Sequence, residues 1–325
     1  MNGSAFFSVI IATRNRPTLF AKALASVLAQ NFEDKEVIVI NDGSDEEHQE
    51  SYQAIIDRYS NVRYIPLIKR DNGHGQSYSL NFGASVAKGE YLAFLDDDDL
   101  WSNAEHLSRA YQDIRASKRK VELYFTNQEA FYANGEQKQE PCWLADLVAR
   151  LPENQSAPYV VNVDFLLKSD GFAHLNCSIY HKEFYLALGG MDENIRYECD
   201  RDIYIRALDA ANHILYQPWV VAQHYIPDKS QANNMSTSVS EHEKRLYQLR
   251  VYEKGILNCK QAALRRLCIV GKTYQLKFLA ESLNKHHKPH SALLYAKQAL
   301  SLHYSLKWHL FVIYLRVSKM LDKAA

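Results

Sequence analysis

Gly89-Glu-Tyr-Leu-Ala-Phe-Leu-Asp-Asp-Asp-Asp-Leu-Trp101 decides the fold. Tyr91 to Leu95 is an apolar run of strand length, and it runs straight into four carboxylates. Behind it, Ser77 to Ala87 has helical spacing and is stopped by Gly89. Working back toward the N-terminus, the same alternation repeats. Phe6 to Ala12, Glu36 to Asn41 and Val62 to Ile68 are further apolar strands. A helix opens at Pro17 with Leu19, Ala23, Leu24, Val27 and Leu28 on one side, and a polar helix carries Tyr52, Ile55, Ile56 and Tyr59. Strands alternating with helices at this spacing predict an α/β fold, a mainly parallel sheet with helices on both faces. Such sheets bind ligands beyond the carboxyl ends of their strands. Thr13-Arg14-Asn15, Asp42 and Asp96 to Asp99 all fall there.

Working forward, Val121 to Thr126 and Gln217 to His224 read as strands and Asp202 to Ala211 as a helix. From Glu241 onward the pattern is helical, with breaks at Gly271 and around Pro289. The 325 residues, 47% hydrophobic and 23% charged, exclude wholesale disorder, and 12 Gly and 5 Cys exclude collagen-like and disulfide-scaffold chains. The net charge of zero hides an asymmetry: from Glu241 to Ala325 there are 16 Lys and Arg against 5 Asp and Glu. An acidic body can hold a divalent cation, and a basic tail can meet an anionic membrane, nucleic acid or an acidic partner. Neither a signal peptide nor a spanning helix is expected, and Cys142, Cys177, Cys199, Cys259 and Cys268 are expected to be free thiols in a reducing cytoplasm.

Four consecutive carboxylates repel one another, so something positive should compensate. Hard oxygen ligands at a strand end suit Mg²⁺ or Mn²⁺. The competing reading is a solvated acidic turn with a helix cap at Asp99.

Phe7 to Pro17, Gln30-Asn-Phe, Glu36 to Ser44, Asn72-Gly73, Asn81-Phe-Gly83 and Gly89 to Asp98, taken in order, resemble family 2 glycosyltransferases. The likeness runs from about residue 6 to about 226, and Leu175-Asn-Cys-Ser with Leu188-Gly-Gly-Met-Asp-Glu193 is similar to the family's acceptor-side segment. The resemblance implies a GT-A-type fold, a nucleotide-sugar donor and inversion at the sugar carbon. It implies that Thr13, Arg14 and Asn72 line the nucleotide pocket and that Asp42 meets the nucleobase. Asp96 would sit near the ribose and Asp98 on the metal, with Asp97 as the competitor for register. The family's arginine before the Asn-x-Gly ending is replaced here by Leu80, and Arg70 is a substitute candidate.

Within Tyr197 to Arg206, the family spacing makes Asp200 the catalytic base and Glu198 the alternative; capping of a helix near Asp202 competes with that role. His224 is a candidate to complete the metal site. The polar stretch 227–240 stands where relatives carry a mobile lid. His286-His287-x-x-His290 lacks acidic partners and reads as a solvated basic loop.

The resulting expectation is a catalytic domain over 1–226, a loop over 227–240 and a basic helical region over 241–325. The chain is expected to be a cytoplasmic, Mn²⁺- or Mg²⁺-dependent inverting glycosyltransferase. It would move a sugar from a UDP-sugar to a glycan or lipid-linked acceptor, with no nucleic-acid partner. The helical region either is a subdomain packed on the catalytic body or used for dimerisation, or associates with the cytoplasmic face of the inner membrane. A sugar-nucleotidyltransferase is the first rival, disfavoured because the turn after the first strand has no glycine; a non-catalytic scaffold is the second.

Overall fold

The computed structural model describes residues 5–227 and 239–321. The chain divides into two compact units, Met1–Asn234 and Met235–Ala325. Most of the proposed lid lies outside the described residues.

The first unit is built on a nine-stranded sheet. Its first half is parallel: β3 (Val62–Pro66), β2 (Lys35–Asn41), β1 (Phe7–Thr13) and β4 (Tyr91–Phe94) lie side by side. Nearly all of β1 and all of β4 is buried, as expected of strands covered on both faces. The interleaved helices are α1 (Pro17–Leu28), α2 (Glu46–Ile56) and α3 (Gln76–Val86). α1 starts at Pro17, whose fixed φ suits a first helical position, and buries Phe20, Ala23, Leu24 and Val27.

The second half is mixed. After β5 (Leu100–Trp101) and α4 (His106–Ala116), β6 (Leu123–Phe131), β7 (Tyr159–Val161), β8 (Ser178–His181) and β9 (Ile214–Tyr225) complete the sheet. β8 is inserted antiparallel between β4 and β6, and β9 runs parallel to β6 while β5 and β7 pair antiparallel with it. The short helices α5 (Val163–Leu166) and α6 (Lys182–Ala187) precede and follow β8, and α7 (Cys199–Ala210) leads to β9. α7 begins three residues before the expected start at Asp202.

Register fixes the site. Thr13 pairs with Asn41, and Ile10 pairs with Phe94. The turns after β1, β2 and β4 therefore leave the sheet at one edge, carrying Arg14, Asp42 and the four aspartates to one place.

The second unit is helical: α8 (Glu241–Asn258), α9 (Ala262–Lys285), α10 (Pro289–Leu302) and α11 (Leu306–Leu321). Ser240 and Glu243 form a capping box that starts α8. Leu276, Leu279, Leu293, Trp308, Val312 and Leu315 make its core, and Ala292, Ala296 and Ala299 leave room for the Trp308 ring, whose N–H donates to the Ala296 carbonyl at 2.9 Å. The expected break at Gly271 is absent, since α9 continues through it. A side chain there would meet the Tyr252 ring at 2.4 Å, so the glycine serves close packing rather than a turn. The expected break near Pro289 is present, because Pro289 opens α10. No helix among the described residues is long and apolar enough to cross a membrane.

Candidate active site

The four aspartates divide by partner. Asp97, 1% exposed, and Asp98, 21% exposed, both pair with Arg16, which reaches Asp98 at 2.9 Å. Arg16 stands just ahead of α1, where its backbone N–H donates to the Tyr52 hydroxyl, itself 2.8 Å from Thr13 Oγ1. The loop after β1 is thus held in shape by a buried hydroxyl pair. Burial pushes Asp97 up to about 7 even with Arg16 pulling it down.

Asp96 and Asp99 face the other way. Asp96 accepts a hydrogen bond from Gln76 Nε2 at 2.6 Å, a neutral donor. Burial pushes the Asp96 carboxyl well above the usual range, and the charges of Asp99 and Asp98 push it further. Asp99 is fully buried, lies 2.8 Å from His224 Nδ1 and accepts the Tyr225 N–H at 2.8 Å. Burial opposes charge on Asp99, but His224 and His174 outweigh it and hold the carboxyl below its usual range. Burial also opposes charge on His224, yet Asp99, Asp96 and Asp98 lift it to about 9. Asn176 spans the cluster: its Oδ1 accepts the Asp96 N–H at 3.0 Å and its Nδ2 donates to Asp99 at 2.6 Å. The capping reading of Asp99 is replaced, since its oxygens are spent on β9 and Asn176.

Asp200 comes to this cluster through His174. Nε2 of His174 lies 3.7 Å from Asp96 Oδ2 and 3.8 Å from Asp200 Oδ2. Its Nδ1 accepts the Asn176 N–H at 3.4 Å, so in the neutral ring Nε2 carries the proton. Burial holds His174 below the usual histidine range, which favours that neutral form. Trp143 adds a third ring, 5.6 Å from His174 and 5.2 Å from His224. It is held in the left-handed region, φ 54°, uncommon for so bulky a residue.

Asp200 lies inside the first turn of α7 and is not its cap; its Oδ1 accepts the Arg201 N–H at 2.9 Å. The cap position belongs to Glu198, at φ 57°, and its carboxylate is taken by Arg201 Nε at 2.7 Å. Arg206, at the end of the motif, donates to the carbonyls of Leu188 and Gly190 and so ties α7 to the Gly189-Gly190 turn.

The remaining candidates form a neighbouring cluster. Both Asp42 oxygens accept backbone N–H groups, of His74 at 2.8 Å and Gly75 at 2.9 Å, at the start of α3. Arg14 donates to the carbonyls of Arg70 and Asp71. Gly73, at φ 62°, admits no side chain, because a Cβ would meet the Asp42 carboxylate at 2.5 Å. Asn72 is exposed in this turn. Arg70 meets Arg14 through its carbonyl, while Asn81, in the place beside the missing family arginine, binds the Met191 backbone N–H and carbonyl.

The donor set suits a divalent cation. Among the described residues, Asp96, Asp99 and His174 bring ligand atoms within 4.8 Å of one another, and two of these are hard carboxylates; to ligate through Nε2, His174 would have to give up the proton held there. His286, His287 and His290 are exposed and belong to no such group. Sequence reasoning missed Arg16, Gln76, His174 and Asn176. Asn176 stood in a motif already singled out, and Arg16 one residue before Pro17; His174 carried no local signal.

Residues 8–185 match the family described as Glycosyl transferase family 2. The succinoglycan biosynthesis protein ExoW of Rhizobium meliloti is 30% identical over 207 residues, covering 58% of this chain and 57% of that protein. A GalNAc(5)-diNAcBac-PP-undecaprenol beta-1,3-glucosyltransferase of Campylobacter jejuni is 35% identical over 92 residues, 28% of this chain and 29% of that protein. The chain thus spans little more than half of the first relative and under a third of the second. Among solved structures, S. aureus TarS in complex with UDP is similar with a TM-score of 0.63 and 16% identity, over 98% of this chain and 92% of that one. Mannosyltransferase PcManGT from Pyrobaculum calidifontis, in complex with GDP-Man and Mn²⁺, is similar with a TM-score of 0.56 and 14% identity, over 98% of this chain and 81% of that one. At such identity these likenesses speak to the fold, which is of the GT-A type. With residues 8–185, more than half of its length, matching that family, the chain belongs to glycosyl transferase family 2.

Proposed function

We propose that this glycosyltransferase moves a sugar from a UDP-sugar to a hydroxyl of a glycan or lipid-linked acceptor, with inversion and with a divalent cation. The observation that carries the reading is His174 Nε2, within 3.8 Å of both Asp96 and Asp200. A carboxylate assigned to the donor side and the carboxylate assigned as base thus approach the same imidazole, which supports placing both in one site. Catalysis is assigned to 1–226, leaving 241–325 for another role.

In this reading Thr13, Arg14, Asp42, Asn72, Asp96 and Asp97 form the nucleotide side. Asp98 is the ligand that the family motif assigns to Mn²⁺ or Mg²⁺, but it pairs with Arg16, and the clustered ligand atoms are those of Asp96, Asp99 and His174, with His224 on Asp99. Arg16 pairs with Asp97 and Asp98 and His224 with Asp99, so Asp96, whose ionisation burial and the neighbouring carboxylates oppose, is the carboxyl left for a cation to compensate. When bound, the cation would offset the charge that builds on the departing diphosphate. Asp200 takes the proton of the acceptor hydroxyl as its oxygen bonds to the anomeric carbon. The bond from that carbon to the diphosphate oxygen breaks, and its electron pair leaves with the nucleotide. Positioned proton transfer of this kind is worth roughly 10²- to 10⁴-fold. Glu198, bound by Arg201, is the weaker candidate for base.

The UDP of the TarS complex and the undecaprenol-linked acceptor in the Campylobacter relative's name support these choices of donor and acceptor class. Calorimetric titration with UDP, GDP, CDP and dTDP, each with Mn²⁺ and with EDTA, tests them. Metal-dependent binding of UDP alone is expected; binding of none sinks the pocket assignment. Asp200→Asn should abolish transfer and spare UDP binding, whereas Asp98→Ala should weaken metal-dependent UDP binding itself. Wild-type turnover in Asp200→Asn moves the base to Glu198.

A further inference from the structure

The last helix, α11, has two apolar sides. Trp308, Phe311, Val312 and Leu315 close the helical core. Leu306, Leu310, Ile313, Tyr314 and Val317 are 66%, 57%, 42%, 54% and 52% exposed. At about 100° per residue these five fall within one arc of roughly 100°, opposite the buried four. A surface helix ordinarily has one apolar stripe and a polar back, so a second apolar stripe is a surface to be covered.

Along α10 and α11 the charge has one sign. Residues 282–321 carry six Lys and Arg and no Asp or Glu. Lys307 and Arg316 flank the arc on its two margins and are exposed. On α10, Leu294 and Lys297 are exposed as well, and Tyr304 in the connection is 64% exposed.

We propose that this face of α11 lies on an anionic lipid surface. Apolar side chains set at headgroup depth, with lysine and arginine heads at the phosphates and a tyrosine at the boundary, are the chemistry of an interfacial helix. A second copy of the chain fits less well. It would bring an identical acid-free, cationic helix pair into contact, and like charges repel. Five half-exposed side chains also offer on the order of 500 Å², short of the ~800 Å² per partner of a stable interface. An interfacial helix of this kind binds peripherally and reversibly. The inference does not depend on the donor or acceptor proposed above.

The test is flotation of the full chain with vesicles of phosphatidylcholine alone and of phosphatidylcholine mixed with phosphatidylglycerol. The wild type should float with the anionic vesicles at least about tenfold more than with the neutral ones, and added salt should weaken this. Leu306→Ser with Leu310→Ser and Ile313→Ser, all at exposed positions, should lose about tenfold. Lys307→Glu with Arg316→Glu keeps the apolar arc and should lose binding too; it decides the matter if the serine variant does not fold. No flotation of the wild type overturns the proposal, as does equal binding to both vesicle types or wild-type binding by both variants. A wild-type dimer that the serine variant turns into a monomer, with no lipid binding, assigns the face to a second copy instead.

Discussion

Replacing Arg16 by methionine tests the charge balance of the site. Arg16 is the cation in contact with Asp97, 1% exposed, and with Asp98, 21% exposed. Methionine keeps much of the packing and removes the charge. Removing one partner of a buried pair costs about 3–5 kcal/mol, since a carboxylate is left uncompensated, and most of that falls on Asp97 because Asp98 is partly solvated. At roughly 2–4 °C per kcal/mol for a unit of this size, the melting temperature of the first unit should fall by on the order of 10 °C at pH 8. The loss should depend on pH. The Asp97 carboxyl is raised to about 7 in the fold, so its proton is retained there at pH values where the unfolded chain has lost it. Stability linked to that proton is full below the unfolded value near 3.8 and is lost as pH rises through about 7. At pH 5 Asp97 is mostly neutral and Arg16 has less charge to balance, so the variant's deficit should be less than half that at pH 8. Scanning calorimetry at both pH values, with and without Mn²⁺, reads this directly. If the cation shares these carboxylates, Mn²⁺ raises the variant's melting temperature more than the wild type's. A deficit below about 2 °C at pH 8, or an equal deficit at both pH values, refutes the charge argument, and equal Mn²⁺ stabilisation of both proteins refutes the shared site.

His106 is 1% exposed with neither ring nitrogen hydrogen-bonded, and burial lowers its pKa to about 3. The fold therefore refuses a proton that the unfolded chain accepts below about 6.5, and stability is lost as pH falls through that value, by about 2 kcal/mol at pH 5. His106→Leu should remove this acid sensitivity, measured as denaturant midpoints at pH 5 and pH 8; an unchanged pH slope would contradict the assignment. Asn81→Ala removes hydrogen bonds to Met191 O at 2.9 Å, Met191 N at 2.8 Å, the Tyr185 hydroxyl at 3.0 Å and Glu193 at 3.0 Å. Stranding buried partners should cost about 2–4 kcal/mol in urea unfolding, and a loss under about 0.5 kcal/mol would show that Asn81 does not hold this segment.

Much of the site was legible because its pieces are local. β1, β2, β3 and β4 each begin within a residue of the expected start, since an apolar run between turn signals specifies a buried strand by itself. The clustering of Arg14, Asp42 and Asp96 to Asp99 follows from parallel strands that share one carboxyl edge. β8 was less visible: its four residues follow directly from an asparagine-bearing turn, and only the neighbouring strands β4 and β6 make them a strand. The start of α7 was misplaced because Glu198 adopts a left-handed conformation, which residue preference does not announce.

Composition and strand-helix period therefore determined the fold class and the acidic cluster, because each is a property of neighbours in the chain, while the family resemblance supplied Asp200 as the candidate base. What only the tertiary structure decided is which aspartate meets which partner. Arg16 lies 81 and 82 residues from the two carboxylates it neutralises, and His224 lies 125 residues from Asp99. Four identical side chains in a row carry no local distinction. Their division into a pair balanced by arginine and a pair facing His174 and His224 comes from the positions of β1, β8 and β9 around β4. A chain of like charges is sorted by the fields of distant groups, and those fields exist only once the sheet has brought the groups within a few ångströms.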